Sequence, residues 1–542
     1  MRAHRKRLCR PAGLIVAAGV FSIVGAASAQ VPTSPAKVSP EMMARVEALQ
    51  PALESYVKKG MGEFDVPGAA IGIVAGDRLV YAKGFGLRRK GGSEPIDPKT
   101  VFQIGSTTKA FLATVLAIAV DRDRLKWNDR VVDLDPSFAL KDPYVTREFR
   151  LYDLLAQRSG LPPYANDALS TLGFDPAELM HSLRFVDPRT SFRSTFAYTN
   201  ITHLFAGRIA DQALGAPDWP TLVKREIVEP LGMHDTSFTA GAIEQAADHA
   251  TGYRWTPNGS VEIPFDPIFP YEYGPAGDIN SSLEDCARWL RLQIADGVFA
   301  GHRLVSARNL AVTRTPKVAI NETATYAMGW IISSTPNGRV IWHNGGTNGF
   351  GAEIGFLPDK GVGVIILTNE QNKGFPDAVA LWAFDRLLGN PEIDYVQKAL
   401  GRAKAAAAEE QVIYERPATP RPSPELADLS GDYRSSEMGP ATLVVENGGL
   451  MATLQKTGVR FRLEPYDGAV FSVHLVPEGR FAALDRSLGD TPFGFAAFVP
   501  DARARLSRLR LIVEGQSYFW ARSDPAAATV PGPPRRPITK PE

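Results

Sequence analysis

Apolar side chains recur with helical spacing over residues 41–60 and with strand-like spacing soon afterwards. The first pattern predicts an amphipathic helix. Two apolar runs, residues 69–74 and 79–84, have the length of strands, and Gly76 and Asp77 between them favour a tight hairpin turn. We therefore expect the folded part of the chain to begin with a helix followed by a pair of antiparallel strands.

Helical patterns dominate the middle of the chain, and strands return later. Residues 106–120 open with a Ser/Thr cluster and continue with apolar positions, which predicts the start of a helix. Residues 339–344 and 352–369 predict strands around a Pro-Asp-Lys-Gly turn, and residues 375–389 predict a further helix. This order of elements indicates an α+β fold in which helices pack on an antiparallel sheet.

A change of composition separates a second, smaller domain. Residues 396–423 are rich in Ala, in charged residues and then in Pro, which predicts a linker. Residues 424–524 predict a small all-β barrel or sandwich, and the Pro-rich end, residues 525–542, is expected to be disordered. The runs that predict strands are LSGDYRS, ATLVVEN, LMATLQ, FRLEPY, AVFSVHLV, FAALD, FGFAAFV and LRLIVE.

The first 29 residues have the parts of a secretory signal peptide. Five basic residues precede a short apolar run, and Ala27-Ser28-Ala29 forms a small-residue cleavage site. The alternative is a membrane anchor, but the apolar run is short for a bilayer span. We expect a mature chain that starts at Gln30 with a flexible lead-in at residues 30–40, and that is periplasmic or secreted without membrane attachment.

Length, charge and cysteine content exclude several classes of protein. A chain of 542 residues, 44% hydrophobic and 22% charged, is expected to be a soluble protein of two domains. Without residues 1–29 it has 55 basic and 59 acidic residues, a formal net charge of −4, which argues against a nucleic-acid partner. Cys286 alone then remains, so no internal disulfide is expected. The usual His- and Cys-based metal motifs are missing from the sequence, and we expect no metal or other cofactor.

The pair Ser106 and Lys109 combines a hydroxyl and an amine three positions apart. This spacing occurs twice more, in SPAK from Ser34 and in SYVK from Ser55, so spacing alone means little. Ser34 lies in the Pro-rich lead-in, and Ser55 lies on the polar face of the first predicted helix. Ser106 lies at a predicted helix start, where residues three apart share a face and free backbone N–H groups can stabilise an oxyanion. A lysine in that apolar setting can lose its proton near neutral pH and act as a base.

The segment FQIGSTTKAF resembles the nucleophile motif of serine β-lactamases and penicillin-binding proteins. LLAQRSGLPPY is similar to a loop of that family. YTN at Tyr198 matches the Tyr-x-Asn element of the class C β-lactamase, D-peptidase and D-aminopeptidase branch, and HNG at His343 lies where the third element is expected. The resemblance implies a β-lactamase-like catalytic domain over residues 41–395 and a lipocalin-like barrel over residues 424–524.

The resemblance also implies catalytic roles. Ser106 would attack a carbonyl carbon and form an acyl-enzyme, with Lys109 and Tyr198 as the base system. The sequence does not decide which of the two removes the proton, because their titrations would be coupled. Asn200 would orient the substrate or Lys109, and its alternative role is a helix N-cap. The alternative for Tyr198 is a side chain of the core.

The third element would complete the substrate-binding site. His343 and Gly345 belong to it, and Gly346 would by resemblance donate a backbone N–H to the oxyanion hole together with that of Ser106. His343 would add to a positive field around Tyr198, or else be a satisfied histidine at a strand end.

A second Tyr-x-Asn sequence, Tyr164 to Asn166, directly follows SGLPP. The family has no catalytic tyrosine at that place. Tyr198 precedes a new helical run, as in the family, so we assign the catalytic phenol to Tyr198.

The third element departs from that of β-lactamases, because His-Asn-Gly replaces Lys-Thr-Gly or Lys-Ser-Gly. The missing lysine and hydroxyl weaken the binding of a β-lactam carboxylate, and His-x-Gly occurs in D-peptidase and D-aminopeptidase members. We therefore expect a serine peptidase or amidase whose partner is a small peptide or amide, including peptides with D-residues. Linearised microcystin is one candidate substrate. The alternatives are a carboxylesterase, a β-lactamase and a non-catalytic penicillin-binding-like sensor, and the sequence does not indicate an oligomeric state.

Overall fold

The computed structural model describes residues 38–502 and 505–523. The predicted signal peptide, the lead-in before residue 38 with its SPAK sequence, and the tail at residues 525–542 lie outside the described residues. Within the part of the chain that is described, no helix is both long and apolar enough to cross a bilayer.

The elements follow the predicted order of a helix, a strand pair, many helices, more strands and a separate run of strands. The helices are α1 (Pro40–Phe64), α2 (Thr108–Asp121), α3 (Val131–Leu134), α4 (Pro143–Glu148), α5 (Ala168–Thr171), α6 (Pro176–Ser182), α7 (Ile201–Leu214), α8 (Trp219–Val223), α9 (Glu229–Leu231), α10 (Ala240–Gln245), α11 (Leu283–Ile294), α12 (Ala307–Thr313), α13 (Phe375–Leu388), α14 (Tyr395–Tyr414), α15 (Leu426–Leu429) and α16 (Ala482–Leu488). The strands of the first domain are β1 (Gly68–Ala75), β2 (Arg78–Gly86), β3 (Phe102–Gln103), β4 (Tyr253–Arg254), β5 (Val261–Glu262), β6 (Asn280–Ser281), β7 (Val298–Phe299), β8 (His302–Arg303), β9 (Val318–Ala319), β10 (Ala324–Tyr326), β11 (Ile331–Thr335), β12 (Gly338–Gly346), β13 (Gly351–Leu357) and β14 (Val362–Thr368). Those of the second domain are β15 (Gly431–Ser435), β16 (Gly439–Glu446), β17 (Gly449–Leu454), β18 (Arg460–Asp467), β19 (Val470–Leu475), β20 (Gly494–Pro500), β21 (Leu506–Val513) and β22 (Gln516–Arg522).

An eight-stranded antiparallel sheet forms the centre of the first domain. Its strand order is β2-β1-β14-β13-β12-β11-β10-β9, and this confirms the predicted sheet. The first hairpin therefore lies beside strands that are almost 300 positions later in the chain, as in the pairing of Ala69 with Thr368. The order places β12, with the HNG sequence, near the middle of the sheet.

Helices cover both faces of the central strands. Along β1, Ala70 and Val74 pack in a cluster that includes side chains of α2 and α11. The intervening residues Ile71 and Ile73 pack with α1 and α13, because successive side chains of a strand point to opposite faces. Burial on both faces explains why β1 and most of β14 are continuous apolar runs rather than alternating ones.

Helix α2 runs through the core, and its residues from Thr108 to Ala119 are all buried. A 3₁₀ turn, Gly105–Thr107, precedes it, so Ser106 lies just before the helix and not within its first α-helical turn. This turn packs against the end of β12. A Cβ atom on Gly345 would lie 2.0 Å from the carbonyl oxygen of Ile104, so only glycine permits the contact.

The second domain is a closed antiparallel barrel of eight strands, β15 to β22, which confirms the predicted all-β barrel. Pairing of β15 with β22, for example Tyr433 with Arg522, closes it. Two details differ from the prediction. FAALD lies mostly in α16, since Ala and Leu favour helices, and the unpredicted strand β22 follows a two-residue turn at Glu514 and Gly515.

Most of the segment predicted as a linker, residues 396–423, is instead helical. Helix α14 buries Val396, Ala399, Leu400 and Ala403 in the cluster that contains α1 and α13. These positions have the i, i+3, i+4, i+7 spacing of an amphipathic helix, and Ala is a strong helix former. The connection between the domains is therefore limited mainly to residues 415–425.

Substitution of Gly345 by alanine is expected to destabilise the first domain. The new methyl group would overlap the backbone of Ile104, which cannot move without displacing the turn that carries Ser106. We expect Gly345→Ala to lower Tm by roughly 5 °C, measured by thermal unfolding followed by circular dichroism. Gly346→Ala is the matched control, because its nearest contact would be Asn372 Cβ at 3.4 Å, and its Tm should stay within about 1 °C of the unmodified chain. Equal Tm values for both variants would contradict this packing argument.

Candidate active site

A cleft of about 810 Å³ opens between the first domain and the barrel. Ser106 lies in its wall and is partly accessible, whereas Lys109 lies beneath it and is fully buried. Helix α14 also contributes to the wall through Arg402 and Ala403. The other residues predicted for the site from the sequence line the same cleft, and they are Tyr198, Asn200, His343, Gly345 and Gly346.

The amine of Lys109 contacts Ser106 directly. Its Nζ atom lies 3.0 Å from Ser106 Oγ, because residues three apart lie over each other where a 3₁₀ turn leads into a helix. Nζ also lies 2.7 Å from Asn200 Oδ1 and 2.7 Å from the carbonyl oxygen of Ala276. The neighbouring Ser106 and two segments distant in sequence thus fix one amine.

Burial lowers the pKa of Lys109 to about 7, although the nearby Asp167 carboxylate acts in the opposite direction. A large fraction of the side chain is therefore neutral at physiological pH. A neutral amine can donate its two N–H bonds to Asn200 and Ala276 and direct its lone pair at the Ser106 hydroxyl. This arrangement allows Lys109 to accept the proton of Ser106.

Asn200 connects Lys109 to a carboxylate that sequence reasoning missed. Asn200 precedes α7, but its side chain makes no capping hydrogen bond to that helix. Its Nδ2 atom instead donates to Asp167 Oδ2 at 2.6 Å. Burial raises the pKa of Asp167 to about 7, against the lowering effects of the Asn200 hydrogen bond and of Lys109. The only sequence signal for Asp167 was its place next to the second Tyr-x-Asn sequence.

Tyr198 places its phenol beside both partners. Lys109 Nζ lies 4.9 Å from the centroid of its ring. Burial raises the pKa of Tyr198 well above its usual value, and the nearby Ser106 side chain only partly offsets this. The phenol is therefore protonated at neutral pH, which is the state in which it can donate a proton.

His343 is neutral in this site. Burial, followed by the charge of Lys109, lowers its pKa to about 3. Its Nδ1 atom lies 2.6 Å from the carbonyl oxygen of Asn344, to which it donates, and Nε2 lies 3.0 Å from the Tyr326 hydroxyl. The expectation that His343 adds positive charge near Tyr198 is therefore wrong, because a deeply buried imidazole beside an amine loses its proton.

Gly345 and Gly346 end β12 directly against the turn that carries Ser106. A Cβ atom on Gly105 would lie 2.8 Å from the backbone nitrogen of Gly346. A Cβ atom on Gly345 would lie 3.3 Å from the backbone nitrogen of Ser106. The two nitrogen atoms predicted for an oxyanion hole, those of Ser106 and Gly346, therefore belong to adjoining backbone segments at the cleft.

Of the two residues that define the second Tyr-x-Asn sequence, Tyr164 lines the cleft and Asn166 does not. Asn166 points away from the cleft, and its Nδ2 atom donates to Ser182 Oγ at 2.9 Å. Tyr164 lines the cleft, with its ring centroid 5.6 Å from that of Tyr198. The Tyr164 hydroxyl has no hydrogen bond to Ser106 or Lys109 among the described residues.

The sequence profile described as Beta-lactamase matches residues 53–387. The chain is 30% identical to unguisins hydrolase ungD' of Aspergillus campestris (strain IBT 28561), over 58% of this chain and 60% of that protein. It is 26% identical to unguisins hydrolase ungD of Aspergillus violaceofuscus (strain CBS 115571), over 81% of this chain and 86% of that protein. It is also 26% identical to penicillin-binding protein 4 of Amycolatopsis lactamdurans, over 68% and 94% of the respective chains.

Two solved structures share the fold. The octameric penicillin-binding protein homologue from Pyrococcus abyssi superposes with a TM-score of 0.55 at 22% identity, over 86% of this chain and 99% of that chain. A class C beta lactamase from Rhodobacter sphaeroides gives a TM-score of 0.52 at 23% identity, over 62% and 98% of the respective chains. Since the family profile covers more than half of the 542 residues and contains both Ser106 and His343, this chain belongs to the beta-lactamase family of serine hydrolases.

Proposed function

We propose that the protein is a peptidase or amidase that works through an acyl-enzyme on Ser106. The observation that carries the proposal is the 3.0 Å contact between Ser106 Oγ and an amine whose pKa is held near 7. Serine needs an adjacent base to become a nucleophile, and a buried lysine of this kind meets that need. Two relatives are named as hydrolases of unguisins, which supports a hydrolytic rather than a purely binding role.

The groups at the site suggest a division of labour. Lys109 accepts the proton of Ser106 as Oγ forms a bond to the substrate carbonyl carbon. Tyr198, which stays protonated, donates its proton to the leaving nitrogen as the carbon–nitrogen bond breaks, and the proton held by Lys109 restores the phenol. A water molecule then hydrolyses the ester on Ser106. The backbone N–H groups of Ser106 and Gly346 would stabilise the oxyanion in both steps.

The His-Asn-Gly element at residues 343–345 carries no charge at neutral pH, and this favours amide substrates over β-lactams. His343 carries no charge at neutral pH, so it cannot replace the lysine that pairs with a β-lactam carboxylate. The proposed substrates include peptides with D-residues, and linearised microcystin is one of them.

We also propose that the chain is exported and that residues 1–29 act as its signal peptide.

Ser106→Ala is expected to lower kcat/KM on the best substrate by at least about three orders of magnitude. Ser106 should also be the residue that a fluorophosphonate probe modifies, as located by mass spectrometry of the labelled chain. Ser55→Ala is the matched control, because Ser55 has the same Ser-x-x-Lys spacing but is exposed on α1. Its hydroxyl donates a hydrogen bond to the carbonyl oxygen of Pro51. Full activity in Ser106→Ala, or loss of activity in Ser55→Ala, would contradict the choice of nucleophile.

A substrate panel separates the proposed activity from related ones. We expect the chain to hydrolyse D-alanine p-nitroanilide or D-alanyl peptides and to turn over a chromogenic cephalosporin slowly, because the third element supplies no charge for the lactam carboxylate. Rapid cephalosporin hydrolysis would identify a β-lactamase instead. Turnover of p-nitrophenyl esters without any amide hydrolysis would identify a carboxylesterase.

The pH dependence of kcat/KM should reflect the titration of Lys109, which is coupled to that of the nearby Asp167. Only the deprotonated amine can accept the Ser106 proton, so kcat/KM should rise about tenfold per pH unit below pH 7 and level off above it. Initial rates on one substrate between pH 5 and about 9 measure this profile. Lys109→Arg should lose about two to four orders of magnitude at every pH, since guanidinium stays protonated. A rate that is already maximal at pH 5 would exclude Lys109 as the base.

A further inference from the structure

The Asp167 carboxylate is only half partnered. Its Oδ2 atom accepts the Asn200 hydrogen bond, but its Oδ1 atom is buried and has no hydrogen-bond partner among the described residues. The side chain is only 6% exposed and lines the cleft. The Lys109 amine cannot supply the missing donor, because its three contacts are with Ser106, Asn200 and Ala276. An unpaired buried oxygen of this kind needs a donor from a ligand or from water.

A second carboxylate reaches the same cleft from the barrel. Glu514 lies in the two-residue turn between β21 and β22, with φ of 50°, a conformation that glycine, Asn and Asp adopt more readily than Glu. The next polar side chain, Gln516, donates to the carbonyl oxygen of Pro163 at 3.2 Å and so fixes the turn beside the loop that carries Asp167.

The Glu514 carboxylate makes no hydrogen bond or ion pair with any described residue. Its side chain is accessible from the cleft, yet the surrounding walls remove enough water to raise its pKa. Its charge in turn raises the pKa of Asp167. Two carboxylates therefore line one cleft, although the charge of one disfavours the charge of the other.

We propose that Asp167 and Glu514 bind the ammonium group of a substrate that has a free amino terminus. This inference rests on the proposed acyl transfer at Ser106 and names the substrate class for it. An ammonium group has three N–H donors and a positive charge, which match the vacant Asp167 Oδ1 atom and the Glu514 carboxylate. The half-exposed ring of Tyr164, which lines the same cleft, offers an aromatic face to the cation.

The position of Asp167 limits the length of the substrate before the cleaved bond. Three successive hydrogen bonds, through Lys109 and Asn200, connect Ser106 to Asp167. The path from Ser106 Oγ to Asp167 Oδ2 measures at most roughly 11 Å, a distance that an extended peptide covers in about three residues. Because the amino terminus of a peptide precedes every bond in it, the cleaved bond would follow one of the first three residues or so.

Isothermal titration calorimetry on the full chain with Ser106→Ala tests this inference without turnover. The two probes are D-alanyl-L-leucine amide and its N-acetyl derivative, which differ only in the ammonium group. We expect the free amine to bind about tenfold more tightly, and Glu514→Gln in the same chain to reduce that preference to about twofold or less. Glu437→Gln is the matched control, because Glu437 is a partly buried glutamate of the barrel outside the residues that line the cleft.

Each result has a defined meaning. Equal binding of the two probes, no measurable binding of the free amine at millimolar concentration, or equal effects of Glu514→Gln and Glu437→Gln would overturn the inference. A preference that depends on Glu514 supports it. If the preference is present but the fluorophosphonate probe leaves Ser106 unmodified, the amine site stands and the proposed function fails. If Ser106 is modified and both probes bind equally, the proposed function stands and the amine site fails.

Discussion

The burial of the Lys109 amine beneath Ser106 is the constraint on which the rest of the site depends. Burial removes the hydration of this amine, and three polar contacts with protein atoms replace it. Burial holds the pKa near 7, so the group that touches Ser106 is also one that can accept its proton. Asn200 and Ala276 come from segments far from α2 in sequence, so the amine keeps its orientation only while those segments pack together. The orientation and the pKa of Lys109 therefore depend on tertiary packing.

A close backbone contact supports the same arrangement from the other side. The turn at Gly105–Thr107 presents Ser106 to the cleft because the end of β12 approaches it without side chains between them. Gly345 thus has a structural role in addition to lining the cleft. The neutral His343 on the same strand is held by Tyr326 and by the neighbouring carbonyl group. This strand consequently lines the cleft with backbone atoms and with polar, uncharged groups.

The barrel forms part of the cleft and is not an independent appendage. Lys456 pairs with Glu178 at 2.9 Å, and Arg480 donates to the carbonyl oxygen of Gly173 at 2.8 Å, so the two domains meet through polar contacts near the loops around Asp167. The turn at Glu514 extends this contact into the cleft. The beta-lactamase profile ends at residue 387, before the barrel begins. The barrel therefore adds Glu514 to the wall of a cleft whose other lining residues precede the barrel in sequence.

The α+β fold, the barrel and the residues around Ser106 were predictable from the sequence. Hydrophobic periodicity and turn-forming residues predicted the hairpin, the strands around the Pro-Asp-Lys-Gly turn and most barrel strands. These elements depend mainly on residues that are neighbours in the chain. The prediction failed in the segment of α14 and in FAALD, where strong helix formers were interpreted as a linker and as a strand. Asp167 and Glu514 were not identifiable either, since nothing near them in sequence marks a carboxylate as facing a cleft. The lowered pKa values of Lys109 and His343 and the placement of Asp167 and Glu514 in one cleft depend on the tertiary structure, because desolvation depends on which distant segments close over a group.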